Sequence, residues 1–196
     1  MAKTKPKKTR ARVGRHLRSL PIPPRLLVSG VPGAGKSYFL KWLSREQGYR
    51  TLHVDDSADV PSVNSILSPA MRARIAEAKA AARRLGEKIA IEYGFPPDSA
   101  RDHVEALRAA GFDAWWFHSD NYTEAFRAYI KGKENVPGAA EDFHSQVDKI
   151  IAHWPSLQRL FKARMIMSLN GSVHLKPEVI WGLILRAQRK APRKTP

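Results

Sequence analysis

The sequence contains no cysteine. Disulfide bonds and thiolate metal sites are therefore excluded. Acidic side chains are also scarce, since 18 aspartates and glutamates stand against 34 lysines and arginines and leave a formal net charge of +16. No apolar run approaches the roughly 20 residues that a membrane-spanning helix needs. The basic first residues also lack the apolar core of a signal peptide, so we expect a cytoplasmic protein that does not contact a membrane.

The positive charge is concentrated at the two ends of the chain. Residues 1–19 carry eight lysines and arginines without an acid, and residues 186–196 carry five, which leaves +3 for residues 20–185. Segments of this composition attract polyanions because binding releases counterions. We interpret residues 1–22 and 189–196 as basic tails that bring nucleic acid near a ligand crevice. A purely solubilising role is the alternative.

Residues 23–188 read as one domain in which strands alternate with helices. The predicted strands are 25–29, 49–56, 88–93, 114–118 and 165–169. This alternation predicts an α/β fold with a doubly wound, parallel five-stranded sheet and helices on both faces. The consecutive aromatics at 115–117 should therefore pack against helices on both sides of the sheet. Ligands bind such folds beyond the carboxyl ends of the strands.

The most specific motif is GVPGAGKS at residues 30–37. It lies between a predicted strand and a predicted helix, which is the context of a phosphate-binding loop (P-loop). Its glycines let backbone N–H groups point at phosphate oxygens, and the helix dipole adds positive charge. We expect Lys36 to reach the β- and γ-phosphates of ATP and Ser37 to bind Mg²⁺. The candidate ATP-binding residues are Gly30, Gly33, Ala34, Gly35, Lys36, Ser37, Tyr38, Lys131 and Lys133.

Carboxylates end the second and third predicted strands. Asp55 is the candidate general base, which would accept the proton of an attacking hydroxyl, and Asp56 is a candidate acceptor-binding residue beside it. Glu92 is the candidate carboxylate for Mg²⁺, in direct or water-bridged contact. A turn-capping role for Asp55 and a solvated position for Glu92 are the alternatives.

Basic residues follow the fourth predicted strand, in a segment at about 127–137 that we interpret as a small lid. Arg127, Lys131 and Lys133 would bring positive charge to the phosphates, where it stabilises the transition state of phosphoryl transfer. Arg127 completes the candidate catalytic set with Lys36 and Asp55. The alternative for the two lysines is a solvated surface position.

Four segments together resemble the small P-loop kinases, a family that includes polynucleotide kinase-like and zeta-toxin-like enzymes. They are GVPGAGKS at 30–37, VDDS at 54–57, IAIEYGFPP at 89–97 and TEAFRAYIKGKENVP at 123–137. The resemblance implies an ATP- and Mg²⁺-dependent kinase in which Asp55 is the general base and Arg127 a phosphate-binding lid arginine. Lys131 stands where the family has another arginine. The resemblance also implies that segment 170–173 lies near the adenine base.

The acceptor site departs from the pattern of polynucleotide kinases. Those enzymes have an arginine shortly after the paired aspartates, whereas this chain reads SADVPSVN at 57–64. Arg72 or Arg74 on the next predicted helix is a candidate replacement. We expect a kinase that transfers the γ-phosphoryl group of ATP to a hydroxyl, with a 5′-hydroxyl nucleic-acid end as the preferred acceptor. A nucleoside, nucleotide sugar or other metabolite is the alternative acceptor, and an ATP-binding switch that phosphorylates nothing is the third hypothesis.

Overall fold

The structure is a computed structural model that describes residues 22–54, 73, 76, 80, 88–94, 97–98, 100–131 and 133–190. The described strands are β1 (Arg25–Gly30), β2 (Tyr49–Val54), β3 (Lys88–Tyr93), β4 (Asp113–Ser119), β5 (Met165–Asn170) and β6 (Val173–His174). The described helices are α1 (Lys36–Gln47), α2 (Ala100–Ala109), α3 (Tyr122–Ile130), α4 (Ala139–Ala152), α5 (Trp154–Phe161) and α6 (Pro177–Lys190), with a 3₁₀ turn at Lys162–Arg164.

The six strands form one sheet in the order β2-β3-β1-β4-β5-β6. β1 lies at its centre and pairs in parallel with both β3 and β4. Residues 26–30 of β1 are all buried, because both faces of the sheet are covered. A central parallel strand therefore reads as a continuous apolar run, which is why this one could be predicted from sequence.

The prediction of five strands was wrong by one. β6 pairs antiparallel with the end of β5, through Leu169 with His174 and Asn170 with Val173. Gly171, at φ 56°, lies in the two-residue turn between them. Both residues of β6 are exposed, so it has no apolar alternation by which to recognise it. The signal present in the sequence was Gly171-Ser172, because a Gly-Ser pair between two strands is typical of a two-residue hairpin turn.

Aromatic side chains of β4 fix helices to both faces of the sheet. Phe117 packs on Phe39 of α1, with ring centroids 5.4 Å apart. Its neighbour Trp116 points to the other face and packs on Phe161 of α5, also at 5.4 Å. This is the two-sided packing expected from consecutive aromatic residues in one strand.

The helix boundaries follow local sequence rules. Pro155 lies in the first turn of α5 and separates it from α4, because a proline in the helix interior would break the hydrogen-bond ladder. His153 lies between the two helices. Ala73, Ala76 and Ala80 are helical, in the segment of the predicted helix that holds Arg72 and Arg74. Within the described ranges, no helix is both long enough and apolar enough to cross a membrane. Most of both predicted tails lies outside these ranges, and α6 extends through Lys190.

His118 of β4 lies half-buried in an aromatic cluster. Its ring stacks on that of Trp154 at 4.4 Å and meets that of Tyr122 edge-on at 6.4 Å. Its buried Nδ1 has no hydrogen-bond partner among the described residues. Burial lowers the pKa of His118, and the opposite effect of Asp120 is smaller. The folded protein therefore favours neutral imidazole at this position.

We expect His118 to make the protein less stable in mild acid. A histidine whose folded-state pKa is lowered contributes stability above its unfolded pKa of about 6.5, and that contribution is lost as the pH falls below this value. The free energy of unfolding, measured with urea between about pH 7.5 and 5.5, should fall more steeply for the wild type than for His118→Phe, which keeps an aromatic ring but cannot titrate. Equal slopes would contradict this assignment.

Candidate active site

A cavity of about 1100 Å³ opens at the carboxyl ends of the parallel strands. Its walls include Gly30 at the end of β1, His53 near the end of β2 and Glu92 near the end of β3. Residues of α1, of α3 and of α4 also line it. The cavity therefore lies where ligands bind parallel α/β sheets, and it contains the predicted P-loop.

The P-loop passes so close to its neighbours that side chains are excluded at two positions. A Cβ atom on Gly33 would lie 1.9 Å from the carbonyl oxygen of Ala125 in α3, and one on Gly30 would lie 2.0 Å from that of Phe117 in β4. Both glycines also have positive φ, 76° and 135°. The sequence motif thus reflects backbone approach as well as turn geometry.

Two side chains that the sequence analysis did not single out hold the P-loop backbone. The hydroxyl of Ser168 is buried in β5 and lies 2.8 Å from the carbonyl oxygen of Ala34, to which it donates. Nε2 of His174 in β6 lies 2.9 Å from the carbonyl oxygen of Gly33. A serine inside an apolar strand was the available signal for Ser168, because buried hydroxyls need partners.

Lys36 lies across the loop that precedes it. Its Nζ donates to the carbonyl oxygens of Gly30 at 3.1 Å and Val31 at 3.0 Å. These bonds hold the ammonium group at the rim of the cavity, beside the amides of the loop. A positive charge held in this way suits the phosphates of a nucleotide.

Ser37 and Glu92, both predicted as Mg²⁺ ligands, lie together in the structure. The Ser37 hydroxyl donates to Oε1 of Glu92 at 3.1 Å, and Oε2 of Glu92 lies 2.9 Å from Nδ1 of His53. His53 and Glu92 are direct neighbours in the parallel register of β2 and β3. One hydroxyl and one carboxylate beside a phosphate-binding loop are the hard oxygen ligands that Mg²⁺ prefers, so the donor set fits this ion.

The lid residues divide into two groups. Lys131 and Lys133 line the cavity, and Nζ of Lys133 lies 3.8 Å from the ring centroid of Tyr129. Arg127 is placed differently from the prediction: its guanidinium forms an ion pair with Glu124 one helical turn earlier, and its side chain is 69% exposed. Arg127 is also absent from the described residues that line the cavity. The i, i+3 spacing of the ion pair explains this orientation.

One wall of the cavity is formed by α4, which the sequence analysis did not assign to the site. Asp142, Gln146 and Lys149 line it. Oδ2 of Asp142 accepts bonds from the Tyr129 hydroxyl at 2.6 Å and from Nε2 of Gln146 at 2.8 Å. The spacing of Asp142, Gln146 and Lys149 places them on one helix face, which was the available signal.

Of the remaining candidate residues, Tyr38 and Ala34 are described by the structure, whereas the predicted acceptor-site residues are not. Tyr38 lines the cavity and is 62% exposed, whereas Ala34 is buried. Asp55, Asp56, Arg72 and Arg74 lie outside the described residues. Their assignments as general base and acceptor-binding residues stay predictions.

No protein-family model matches the chain, and no curated protein matches it in sequence. Among solved structures, the chain is similar to a gluconokinase from Sinorhizobium meliloti 1021, with a TM-score of 0.42 and 14% sequence identity. The similarity covers 87% of this chain and 94% of that one. A resemblance of this size carries no argument about activity or substrate.

We expect Ser168→Ala to loosen the P-loop. The substitution leaves the buried carbonyl of Ala34 without this donor, which should cost about 1–3 kcal/mol of unfolding free energy. ATP affinity should fall as well, because the loop amides lose a fixed position. Urea unfolding and calorimetric ATP titration measure the two effects. Ser156→Ala, an exposed change on α5, is the matched control and should shift stability by less than about 0.5 kcal/mol. Wild-type ATP affinity in Ser168→Ala would contradict this role.

Proposed function

We propose that the protein is an ATP-dependent phosphotransferase whose acceptor is a hydroxyl group of a small molecule. The observation that carries the proposal is that one cavity joins a complete P-loop to a second polar wall. Lys36 and the Ser37–Glu92 pair lie at the first side, and Asp142, Gln146 and Lys149 form the second. A protein that only binds ATP needs the first part alone, whereas a kinase needs both.

The P-loop side suits the triphosphate of ATP. Its backbone amides and the Lys36 ammonium would bind phosphate oxygens, and Ser37 with Glu92 would hold Mg²⁺. When bound, this ion would neutralise charge on the β- and γ-phosphates. Lys131 and Lys133 line the same cavity and would add positive charge there. Arg127 would contribute only after leaving Glu124.

The α4 side suits a compact acceptor that has hydroxyl groups and a negative charge. Asp142 and Gln146 offer hydrogen-bonding groups for hydroxyls, and Lys149 offers a cation for a carboxylate or phosphate. The cavity of about 1100 Å³ exceeds the roughly 300–1000 Å³ of single-ligand pockets, so it can hold a nucleotide and a second small molecule. These features favour a metabolite over the 5′-hydroxyl end of a nucleic acid.

In the proposed reaction, the acceptor oxygen attacks the γ-phosphorus of ATP. The bond between the γ-phosphorus and the β,γ-bridging oxygen breaks, and ADP leaves. Asp55, which follows Val54 at the end of β2, would accept the proton of the acceptor hydroxyl. Asp142 is the alternative candidate for the base, because it lines the cavity. Its two hydrogen bonds suit an orienting role better than proton transfer.

Asp55→Asn should separate transfer from binding. We expect phosphoryl transfer to fall by about 10²-fold or more while ATP affinity stays near the wild-type value, because the amide keeps the shape but cannot accept the proton. The matched variant is Asp142→Asn, which should raise the KM of the acceptor and lower kcat less. If Asp142→Asn abolishes transfer and Asp55→Asn does not, the base has been assigned to the wrong aspartate.

The acceptor class is decided by a panel assay with radiolabelled ATP and thin-layer chromatography. The panel contains neutral polyols, sugar acids, nucleosides, nucleotide sugars and 5′-hydroxyl oligonucleotides. Labelling of small hydroxyl compounds alone supports the proposal, and labelling of oligonucleotides alone overturns it in favour of a nucleic-acid end kinase. If no acceptor is labelled and Asp55→Asn hydrolyses ATP at the wild-type rate, the protein is a nucleotide switch.

Lys149→Met tests the α4 wall. Loss of the ammonium group should raise the KM of an anionic acceptor by about tenfold, since a charge-assisted contact is worth roughly 1.5 kcal/mol or more, and should leave the KM of ATP unchanged. Lys176→Met removes an exposed cation that does not line the cavity and is the control. A raised KM for ATP instead would place Lys149 on the nucleotide side.

A further inference from the structure

A second concave surface lies between α2 and α5 and extends to the 3₁₀ turn after α5. Its volume is about 740 Å³. Five of its described lining residues are cations, namely Arg101, Arg108, Arg159, Lys162 and Arg164. One is an acid, Glu105. We refer to these residues as the basic groove.

The basic groove accounts for the excess charge of the domain. Its six charged residues sum to +4, whereas residues 20–185 as a whole sum to only +3. The other residues in this range therefore sum to −1, so the net positive charge of the domain comes from the groove residues. Burial lowers the pKa of the Arg108 guanidinium, and repulsion from Arg164 acts in the same direction, whereas attraction to Asp113 and Glu105 opposes it. An anion in the groove would add to this attraction.

Hydrogen bonds hold three of the groove arginines. Arg164 bonds to Asp113 at 3.2 Å and lies over the ring of Trp115 at 4.9 Å. Arg108 donates to the carbonyl oxygen of Leu160 at 3.1 Å, and Arg159 donates to the Ser156 hydroxyl at 3.2 Å. Three of the cations are exposed, namely Arg101, Arg159 and Lys162. Guanidinium groups beside exposed cations can contact several phosphates.

The groove reaches the amino edge of the sheet, away from the ATP cavity. Asp113 begins β4 and also accepts a bond from Gln188 in the last turns of α6. Arg25 begins β1 and donates to the carbonyl of Ala110 just after α2. Both basic ends of the chain therefore connect to the domain at this edge. The expectation that they bring nucleic acid near the ligand crevice stays a prediction. None of the described residues lines both the groove and the cavity.

We propose that the basic groove binds the phosphate backbone of nucleic acid at a site separate from the phosphoryl-transfer cavity. The phosphates of a nucleic-acid backbone match a cluster of arginines and lysines, and the basic chain ends would add to the electrostatic attraction. The groove would bind phosphates without distinguishing base sequence. Nucleic acid is then a partner that positions the protein and is not the acceptor.

The test is fluorescence anisotropy of the full chain with a labelled 20-base-pair DNA duplex over a series of salt concentrations. The variant Arg101→Gln/Arg159→Gln removes two groove charges from exposed helix positions. It should weaken binding and make the slope of log K against log salt less negative by about 1.8, since each lost phosphate contact changes it by about 0.9. Lys41→Gln/Lys176→Gln removes the same charge from exposed positions outside the groove and should leave the slope at the wild-type value.

Several results would overturn the proposal. Equal losses of DNA affinity in the two double variants would show that binding depends only on net charge. A wild-type salt slope in both variants would show that the chain ends, and not the groove, contact the phosphates. Absence of wild-type binding would end the proposal directly. Displacement of the duplex by inorganic phosphate at equal phosphate concentration would identify a small-anion site. Lys36→Ala should leave DNA binding intact, and a loss there would place the duplex in the ATP cavity. The DNA-binding measurements do not depend on the acceptor assay, so either proposal can fail without the other.

Discussion

The candidate site depends on the close contact between the P-loop and α3. The carbonyl oxygen of Ala125 occupies the space that a Cβ atom on Gly33 would need. From β5 and β6, Ser168 and His174 bind the carbonyl oxygens of Ala34 and Gly33. A backbone held from several elements keeps its amides in one arrangement before a ligand arrives, so little free energy is spent on ordering it when phosphate binds.

Strand register then determines which side chains meet this loop. β2 and β3 are parallel neighbours, and their register sets His53 beside Glu92. Glu92 in turn reaches Ser37 at the start of α1, which follows β1 on the other side of β3. The site therefore draws on three strands and one helix, of which β3 is distant in sequence from the others. A shift of β3 by one residue would send Glu92 to the other face of the sheet and disperse the group.

The sequence predicted those parts of the fold that have strong local signals. The buried parallel strands, α3 and the break at Pro155 follow from apolar runs, capping and proline chemistry. β6 was missed because two exposed residues carry no periodicity. Among the site residues, the P-loop was recognisable because its backbone geometry demands glycine. The α4 wall was not, since Asp142 and Lys149 look like any solvated helix face until tertiary structure brings α4 to the cavity. The role of Arg127 stays a prediction, and its ion pair with the acid one turn earlier could not be foreseen from the lid pattern alone.

Charge is distributed over the domain in two ways that suit two different ligands. In the cavity, lysines alternate with Glu92 and Asp142, so its field varies over a few ångströms and can orient a small molecule that has both hydroxyls and anionic groups. In the basic groove one sign dominates, and such a field attracts an extended polyanion without orienting it. The two surfaces share no described lining residue. Under our proposals, nucleic-acid binding would therefore depend on salt, while phosphoryl transfer would depend on local geometry.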